Sequence, residues 1–187
     1  MHTPEQSFTR SSSGIPGLDS LLEGGFVDGR LYLVLGVPGT GKTLLGTEFL
    51  CEGLSAGETV LFIHGEESAD DLRANAAELG IDIRGANFLD VGPESDFFKR
   101  AQSYDVVDPQ DIEDGNLIAE VRDAIEELDP GRVLIDPITQ FQYLEPSEYQ
   151  FRKRIISFAR YLKNRGTTVL ATKTPHAQMD MQLRSLS

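Results

Sequence analysis

Residues 36–43 carry the strongest chemical signal in the sequence. They read Gly-Val-Pro-Gly-Thr-Gly-Lys-Thr and fit the pattern G-x-x-x-x-G-K-[ST]. Glycines at these positions let successive backbone N–H groups turn toward phosphate oxygens, and the following helix adds the positive end of its dipole. The Lys42 ammonium would then lie against the β- and γ-phosphates, with the Thr43 hydroxyl on Mg²⁺. The predicted phosphate- and nucleotide-binding residues are Gly36, Val37, Pro38, Gly39, Thr40, Gly41, Lys42, Thr43 and Leu44.

A carboxylate at the end of a second strand would complete the metal site. Residues 132–136 read Arg-Val-Leu-Ile-Asp, an apolar strand that ends at Asp136. Apolar strands often end in Asp, so the pattern alone is weak. Downstream of a phosphate loop it predicts that Asp136 holds the metal, from a strand that we expect to neighbour the loop.

Two adjacent carboxylates, Glu66 and Glu67, follow the predicted strand 59–64. If that strand flanks the phosphate loop, one of them could orient or deprotonate the water that attacks a γ-phosphate. Alternatively, both simply favour the N-terminus of the next helix. Position alone leaves both interpretations open. For His64, just before the pair, a structural role is favoured over lining the site.

The predicted elements alternate between short apolar strands and amphipathic helices. This pattern favours an α/β fold with a mostly parallel sheet flanked by helices. Ser68 and Asp71 form a capping-box pattern. Residues 92–115 are irregular and acidic and should carry at most short elements. The strands are predicted at 31–35, 59–64, 87–91, 133–136 and 168–172, and the helices at 42–55, 68–79, 117–128 and 147–164.

Length and composition indicate one globular domain. The 187 residues carry a net charge of −13, which argues against general nucleic-acid binding. The N-terminus is polar and no apolar run approaches the length of a membrane span, so we expect a cytoplasmic protein. Cys51, the single cysteine, should be a buried thiol. The 12 Arg against 5 Lys and the acidic excess predict an origin in a halophilic archaeon; the alternative is a merely acidic protein.

The sequence resembles the KaiC family of the RecA/RadA ATPase superfamily. The resemblance rests on GIPGLDSLLEGGF at residues 14–26, GR at 29–30, the phosphate loop and GEE at 65–67, and it extends over residues 12–187. It implies a RecA-like P-loop core, ATP and Mg²⁺ as ligands, and a hexameric ring with nucleotide between subunits. It also implies that Glu66 and Glu67 are the catalytic pair and that Thr172 senses the γ-phosphate. Residues 1–12 would be a flexible N-terminus and 13–187 the ATPase domain.

The chain departs from the family pattern at three places. Pro137 replaces a small polar residue after the metal-binding Asp and removes a backbone N–H. Lys173 stands where family members often carry Glu. The family also continues with further strands whose basic residues reach the neighbouring subunit's ATP, so we expect the domain to be truncated at its C-terminal end.

Three functions fit these observations. The first is a slowly hydrolysing regulatory ATPase that acts through assembly or a protein partner. The second is a RadA-like recombination protein, which needs basic or aromatic DNA-binding loops; residues 137–147 hold Phe141 and Tyr143 but no Lys or Arg. The third is a nucleotide-dependent switch without turnover.

Overall fold

The computed structural model describes residues 8–93, 95, 116–143 and 147–175. Most of the acidic segment 92–115 therefore lies outside the described residues. The strands of the described part are β1 (Arg10–Ser11), β2 (Phe26–Val27), β3 (Leu31–Leu35), β4 (Val60–His64), β5 (Asn87–Asp90), β6 (Arg132–Asp136) and β7 (Thr168–Lys173). The helices are α1 (Pro16–Leu21), α2 (Lys42–Ser55), α3 (Ala69–Glu78), α4 (Asn116–Leu128), α5 (Thr139–Tyr143) and α6 (Glu148–Arg165).

A parallel sheet of five strands forms the centre of the fold, in the order β3-β7-β6-β4-β5. Its register aligns the carboxyl ends of the strands. His64 lies opposite Asp136 on one side and Asp90 on the other, while Val34 lies opposite Thr172. The predicted α/β fold with a parallel sheet is confirmed, and the polar residues that end four of the strands share one edge.

The prediction that the strands ending at His64 and Asp136 neighbour the phosphate-loop strand β3 was wrong. β7 lies between β3 and β6, and both β7 and β6 lie between β3 and β4. Local apolar patterns do not encode the order of strands joined by crossovers. Asp136 nevertheless reaches the loop because α2 crosses over β6: a Cβ on Gly46 would overlap the Leu134 side chain.

Helices cover both faces of the sheet, and each face buries its own apolar cluster. One cluster joins Phe49 and Leu50 of α2 and Leu72 of α3 to Phe62 and Leu134 of the sheet. The opposite face packs α4 and α6 against the alternate residues of the same strands. That second cluster includes Leu61, Ile63, Val121, Ile125, Val133, Ile135, Phe158, Leu162 and Val169.

The helix limits follow from their caps. α2 begins and ends where the pattern predicted. The Ser68 hydroxyl accepts from the Asp71 N–H at 3.1 Å and donates to the Asp71 carboxylate at 2.6 Å, which confirms the capping interaction. Ser147 caps α6, which ends at Gly166 with a φ of 77°. In the described part of the chain, no helix is long and apolar enough to cross a bilayer.

A short antiparallel strand pair, β1 with β2, was not predicted; α1 lies in the segment that connects the two strands. Arg10 donates to the carbonyls of Leu22 and Gly25 at 2.8 and 3.0 Å. Asp19 accepts from the Ser13 N–H and the Ser12 hydroxyl, both at 2.7 Å. Burial alone would raise the pKa of Asp19, but the hydrogen bonds from Ser13 and Ser12 outweigh it and lower that pKa.

Arg132 fastens this N-terminal part to the sheet. Its guanidinium is 3% exposed and pairs with both Glu58 carboxylate oxygens, at 2.9 and 3.0 Å. It also donates to the Ser12 carbonyl at 2.6 Å and the Phe49 carbonyl at 3.0 Å. This bidentate ion pair joins a buried guanidinium to a half-buried carboxylate at the amino end of β6, so it stabilises the fold at the end opposite to Asp136.

Candidate active site

The phosphate loop takes a conformation that its glycines allow. Gly39 and Gly41 have φ angles of 80° and 84°, in the left-handed region that side chains with a Cβ avoid. A Cβ on Gly36 would overlap the Thr40 hydroxyl. That hydroxyl donates to the Val37 carbonyl at 2.9 Å, which closes the loop on itself.

The loop delivers Lys42 to the first position of α2. Gly41 is the N-cap and offers no side-chain hydrogen bond, so the first N–H groups of the helix remain available to an anion. The Lys42 ammonium donates to the Val37 carbonyl at 3.1 Å, which holds it over the loop. The positive end of the helix and the cation therefore face the same space.

A cleft of about 220 Å³ brings the predicted chemical residues together. It opens between the phosphate loop and the carboxyl edge of β4 and β6. The metal ligands predicted from the sequence, Thr43 and Asp136, line it together with the glutamate pair. The described lining residues are Pro38, Gly39, Lys42, Thr43, His64, Glu66, Glu67, Leu72, Asp136, Pro137 and Thr174.

Thr172 lies behind Asp136. It is fully buried on β7, and its hydroxyl donates to the Asp136 carboxylate. Its predicted contact with the γ-phosphate stays a prediction. In the structure the Thr172 hydroxyl binds the Asp136 carboxylate. Thr174, just beyond the end of β7, lines the cleft instead. Sequence reasoning missed Thr174, because it lies outside the predicted strand and belongs to none of the motifs.

The two glutamates have different surroundings. The Glu67 carboxylate accepts from the Asn75 side-chain amide at 2.9 Å. Among the described residues, none bonds the Glu66 carboxylate. Asn75 was not predicted as a site residue, because nothing in the sequence shows that α3 folds back over the pair. Within the described part of the chain, the Glu66 carboxylate is thus unpaired, while that of Glu67 is tied to α3.

A second cavity, of about 350 Å³, adjoins the cleft. The two share Gly39, Lys42, Thr43, Glu67 and Leu72. Its far wall is formed by α3, and the predicted binding residue Leu44 also lines it. Beyond the shared residues, the lining is Gly41, Leu44, Thr47, Asn75, Ala76 and Leu79. The space therefore runs from the phosphate loop to a largely apolar wall.

The donor set fits Mg²⁺ held together with phosphates. In the part of the chain that the structure describes, no cluster of three or more His, Cys, Asp or Glu could hold a metal by itself. Thr43 and Asp136 offer one hydroxyl and one carboxylate in the same cleft. Mg²⁺ commonly keeps several waters and binds through one or two protein oxygens plus substrate phosphates. The residues present match that requirement.

Comparisons with known proteins show which family and which relatives this chain is similar to. The family model for the KaiC ATPases matches residues 11–183. The UPF0273 protein of Aeropyrum pernix is 31% identical over 166 residues, which cover 85% of this chain and 65% of that protein. The UPF0273 protein of Pyrococcus horikoshii is 32% identical over 166 residues, covering 85% and 66%. The circadian clock protein KaiC3 of Synechocystis sp. is 32% identical over 168 residues, covering 86% and 32%. The chain spans just under two thirds of the UPF0273 relatives.

Proposed function

Since this chain belongs to the KaiC family of ATPases and has a RecA-like P-loop fold, we propose that it binds ATP with Mg²⁺ and hydrolyses the ATP slowly. The supporting observation is the cleft that Lys42, Thr43, Asp136 and the glutamate pair line together. Each of these side chains would have a role in phosphoryl transfer to water, and they come from three separate places in the fold: the start of α2, the end of β6 and the loop after β4. A glycine-rich turn without a function in phosphate binding gives no reason for these side chains to line one cleft.

The phosphate loop binds the triphosphate. Its inward N–H groups and the start of α2 face the phosphate oxygens, and Lys42 exchanges its contact with the Val37 carbonyl for the β- and γ-phosphates. Thr43 and Asp136 would hold Mg²⁺, and the Thr172 hydroxyl orients the Asp136 carboxylate. When bound, the metal neutralises charge that develops on the transferred phosphate.

Glu66 is the better candidate for the base that activates water. Its carboxylate has no partner in the described part of the cleft, whereas Asn75 binds Glu67. Glu66 accepts a proton as the water oxygen bonds to the γ-phosphorus. The bond from that phosphorus to the bridging oxygen breaks, and ADP leaves. Glu67 positions the loop and borders the second cavity, which adjoins the phosphate loop and which we propose receives the nucleoside.

The cleft also suggests why turnover is slow. Lys42 is the single cation among its described lining residues. A second cation that contacts the transferred phosphate contributes about 10³- to 10⁵-fold in related reactions. We propose that a neighbouring subunit supplies it in a homo-oligomeric ring, with the nucleotide between subunits. Such a ring suits a regulatory ATPase that acts on a protein partner, and the net charge of −13 does not favour nucleic acid.

Steady-state ATPase assays of single variants test the catalytic proposal. Glu66→Gln should lower kcat by about 100-fold or more, because it removes the base. Glu67→Gln is the matched control: it keeps an oxygen for Asn75 and should lose at most about tenfold. Lys42→Ala should weaken binding of a fluorescent ATP analogue. If nucleotide sits between subunits, activity per chain should rise with protein concentration in the range where light scattering detects assembly.

The same experiment separates the alternatives. Equal turnover in the wild type, Glu66→Gln and Lys42→Ala would defeat the catalytic assignment. If the wild type binds the ATP analogue but hydrolyses no ATP, the result would favour a nucleotide-dependent switch. If wild type and Lys42→Ala bind the analogue with equal affinity, the phosphate loop is not the nucleotide-binding element.

A further inference from the structure

His64 occupies an unusual place for a titratable side chain. It is the last residue of β4, it is 3% exposed, and its ring still borders the cleft beside the glutamate pair. The ring packs edge-on against Phe62, with centroids 6.1 Å apart, and against Phe88, with centroids 5.7 Å apart. This aromatic packing fixes the position of the imidazole.

One hydrogen bond joins this fixed ring to the loop that carries Glu66. Nδ1 of His64 lies 2.8 Å from the backbone carbonyl oxygen of Glu67. A carbonyl oxygen only accepts, so Nδ1 carries the hydrogen and donates it. The bond closes residues 64–67 into a tight turn with Glu66 inside it.

The start of that turn is equally constrained. The His64 carbonyl accepts from the Val91 N–H at 2.8 Å. Gly65 has no space for a side chain, because a Cβ would lie 2.9 Å from Cγ of Gln140 and 3.3 Å from the Gly92 nitrogen. The backbone before Glu66 is therefore held by the sheet and by Gln140, and the backbone after it is held by the imidazole.

We propose that His64 is a positioning residue for hydrolysis: its Nδ1–H fixes the Glu67 carbonyl and thereby aims the Glu66 carboxylate at the attacking water. This inference rests on the proposed ATPase function. His64 itself transfers no proton and does not contact the nucleotide. Catalysis is sensitive to about 1 Å of misplacement, which can lower a rate about 100-fold.

Two substitutions separate the hydrogen bond from the volume of the ring. In His64→Asn the side-chain amide nitrogen can occupy the place of Nδ1 and donate to Glu67. His64→Leu fills the same space without a donor. We expect kcat of His64→Leu to fall by about tenfold or more, with KM for ATP and affinity for a fluorescent ATP analogue within about twofold of wild type. His64→Asn should recover most of the lost kcat.

Hydrogen–deuterium exchange provides a readout that does not need hydrolysis. Amides of residues 65–68 should exchange faster in His64→Leu than in wild type, and at near wild-type rates in His64→Asn. Unchanged exchange in His64→Leu would overturn the positioning role even if the protein hydrolyses no ATP. Equal loss of kcat in both variants, or loss of analogue binding, would show that only the ring's packing matters. If the wild type shows no turnover but the exchange pattern is as expected, the ATPase proposal is refuted, while the hydrogen bond from His64 to the Glu67 carbonyl is supported.

Discussion

The pair formed by Thr172 and Asp136 shows how a single buried hydroxyl can orient the carboxylate that we propose as a metal ligand. The hydroxyl donates to the carboxylate from the neighbouring strand, and both residues project from the same face of the sheet. An acceptor fixed in this way presents its remaining lone pairs in one direction. Groups that orient a metal ligand typically contribute 10- to 100-fold in metal affinity.

Thr172→Val should therefore raise the Mg²⁺ concentration needed for half-maximal ATPase activity by about tenfold. Valine has nearly the same shape, so it removes the donor and leaves the packing. Thr172→Ser, which keeps the hydroxyl, is the control and should resemble wild type. A Mg²⁺ titration at saturating ATP measures the effect, and identical titration curves for Val and wild type would contradict the orienting role.

At the scale of the elements, the contact between α2 and β6 decides where the phosphate loop lies. Gly46 faces the side chain of Leu134, and the lack of a Cβ lets the helix approach the sheet. The first turn of α2 carries Lys42 and Thr43, so a shift of the helix moves both. Close packing at one glycine in the middle of the helix thus sets the distance from the loop to Asp136.

Gly46→Ala should destabilise the protein by about 1–3 kcal/mol, because the new methyl group overpacks the interface with Leu134. Helix propensity alone would favour alanine. Gly17→Ala in α1 is the matched control: a Cβ there meets nothing within 4 Å, so stability should stay equal or rise slightly. Urea unfolding of both variants measures the difference, and a Gly46→Ala protein as stable as wild type would show that α2 can move without cost.

The sequence predicted elements better than their arrangement. α2 was predicted with its correct limits because the phosphate-loop glycines precede it and Gly57 lies just beyond its last residue. The order of the sheet was not predictable, since strand crossovers leave no local signal. α5 was missed because its five residues follow Pro137 too closely to show a helical period.

Long-range pairs were equally hidden at the level of single residues. Arg132 opens an apolar strand, where an exposed side chain is the ordinary expectation, and its partner Glu58 is 74 residues away. The distinction between Glu66 and Glu67 depends on Asn75, which only the fold of α3 brings to the pair. Motifs predict which groups would take part in the chemistry, while tertiary contacts determine how each is held.

At the scale of the whole molecule, the net charge of −13 determines how we expect stability to depend on salt. Self-repulsion at this charge destabilises a compact chain, and salt shortens the range of repulsion from about 10 Å at 0.1 M to about 3 Å at 1 M. The halophilic origin suggested by the composition remains a prediction. The structure supplies exposed carboxylates, such as Asp123 and Glu127 on α4, that contribute to the repulsion.

The melting temperature should rise by roughly 2–4 °C or more between 0.1 M and 1 M KCl, the shift that corresponds to about 1 kcal/mol for a chain of this size. A variant that combines Asp123→Asn with Glu127→Gln should show a smaller rise, because it carries less charge to screen. Differential scanning fluorimetry measures both slopes. A melting temperature independent of KCl would remove the argument for adaptation to salt.

The position of β3 has a consequence for colloidal behaviour. β3 pairs with β7 along one edge, no described strand pairs along the other, and Leu33 and Leu35 are exposed on it. An unpaired apolar edge strand can pair with a strand of another copy, and electrostatic repulsion between the acidic copies opposes this aggregation. Salt weakens that repulsion as well as the repulsion within each chain. Heat resistance and soluble concentration should therefore change in opposite directions as salt is added, so the best buffer for folding is not the best for storage.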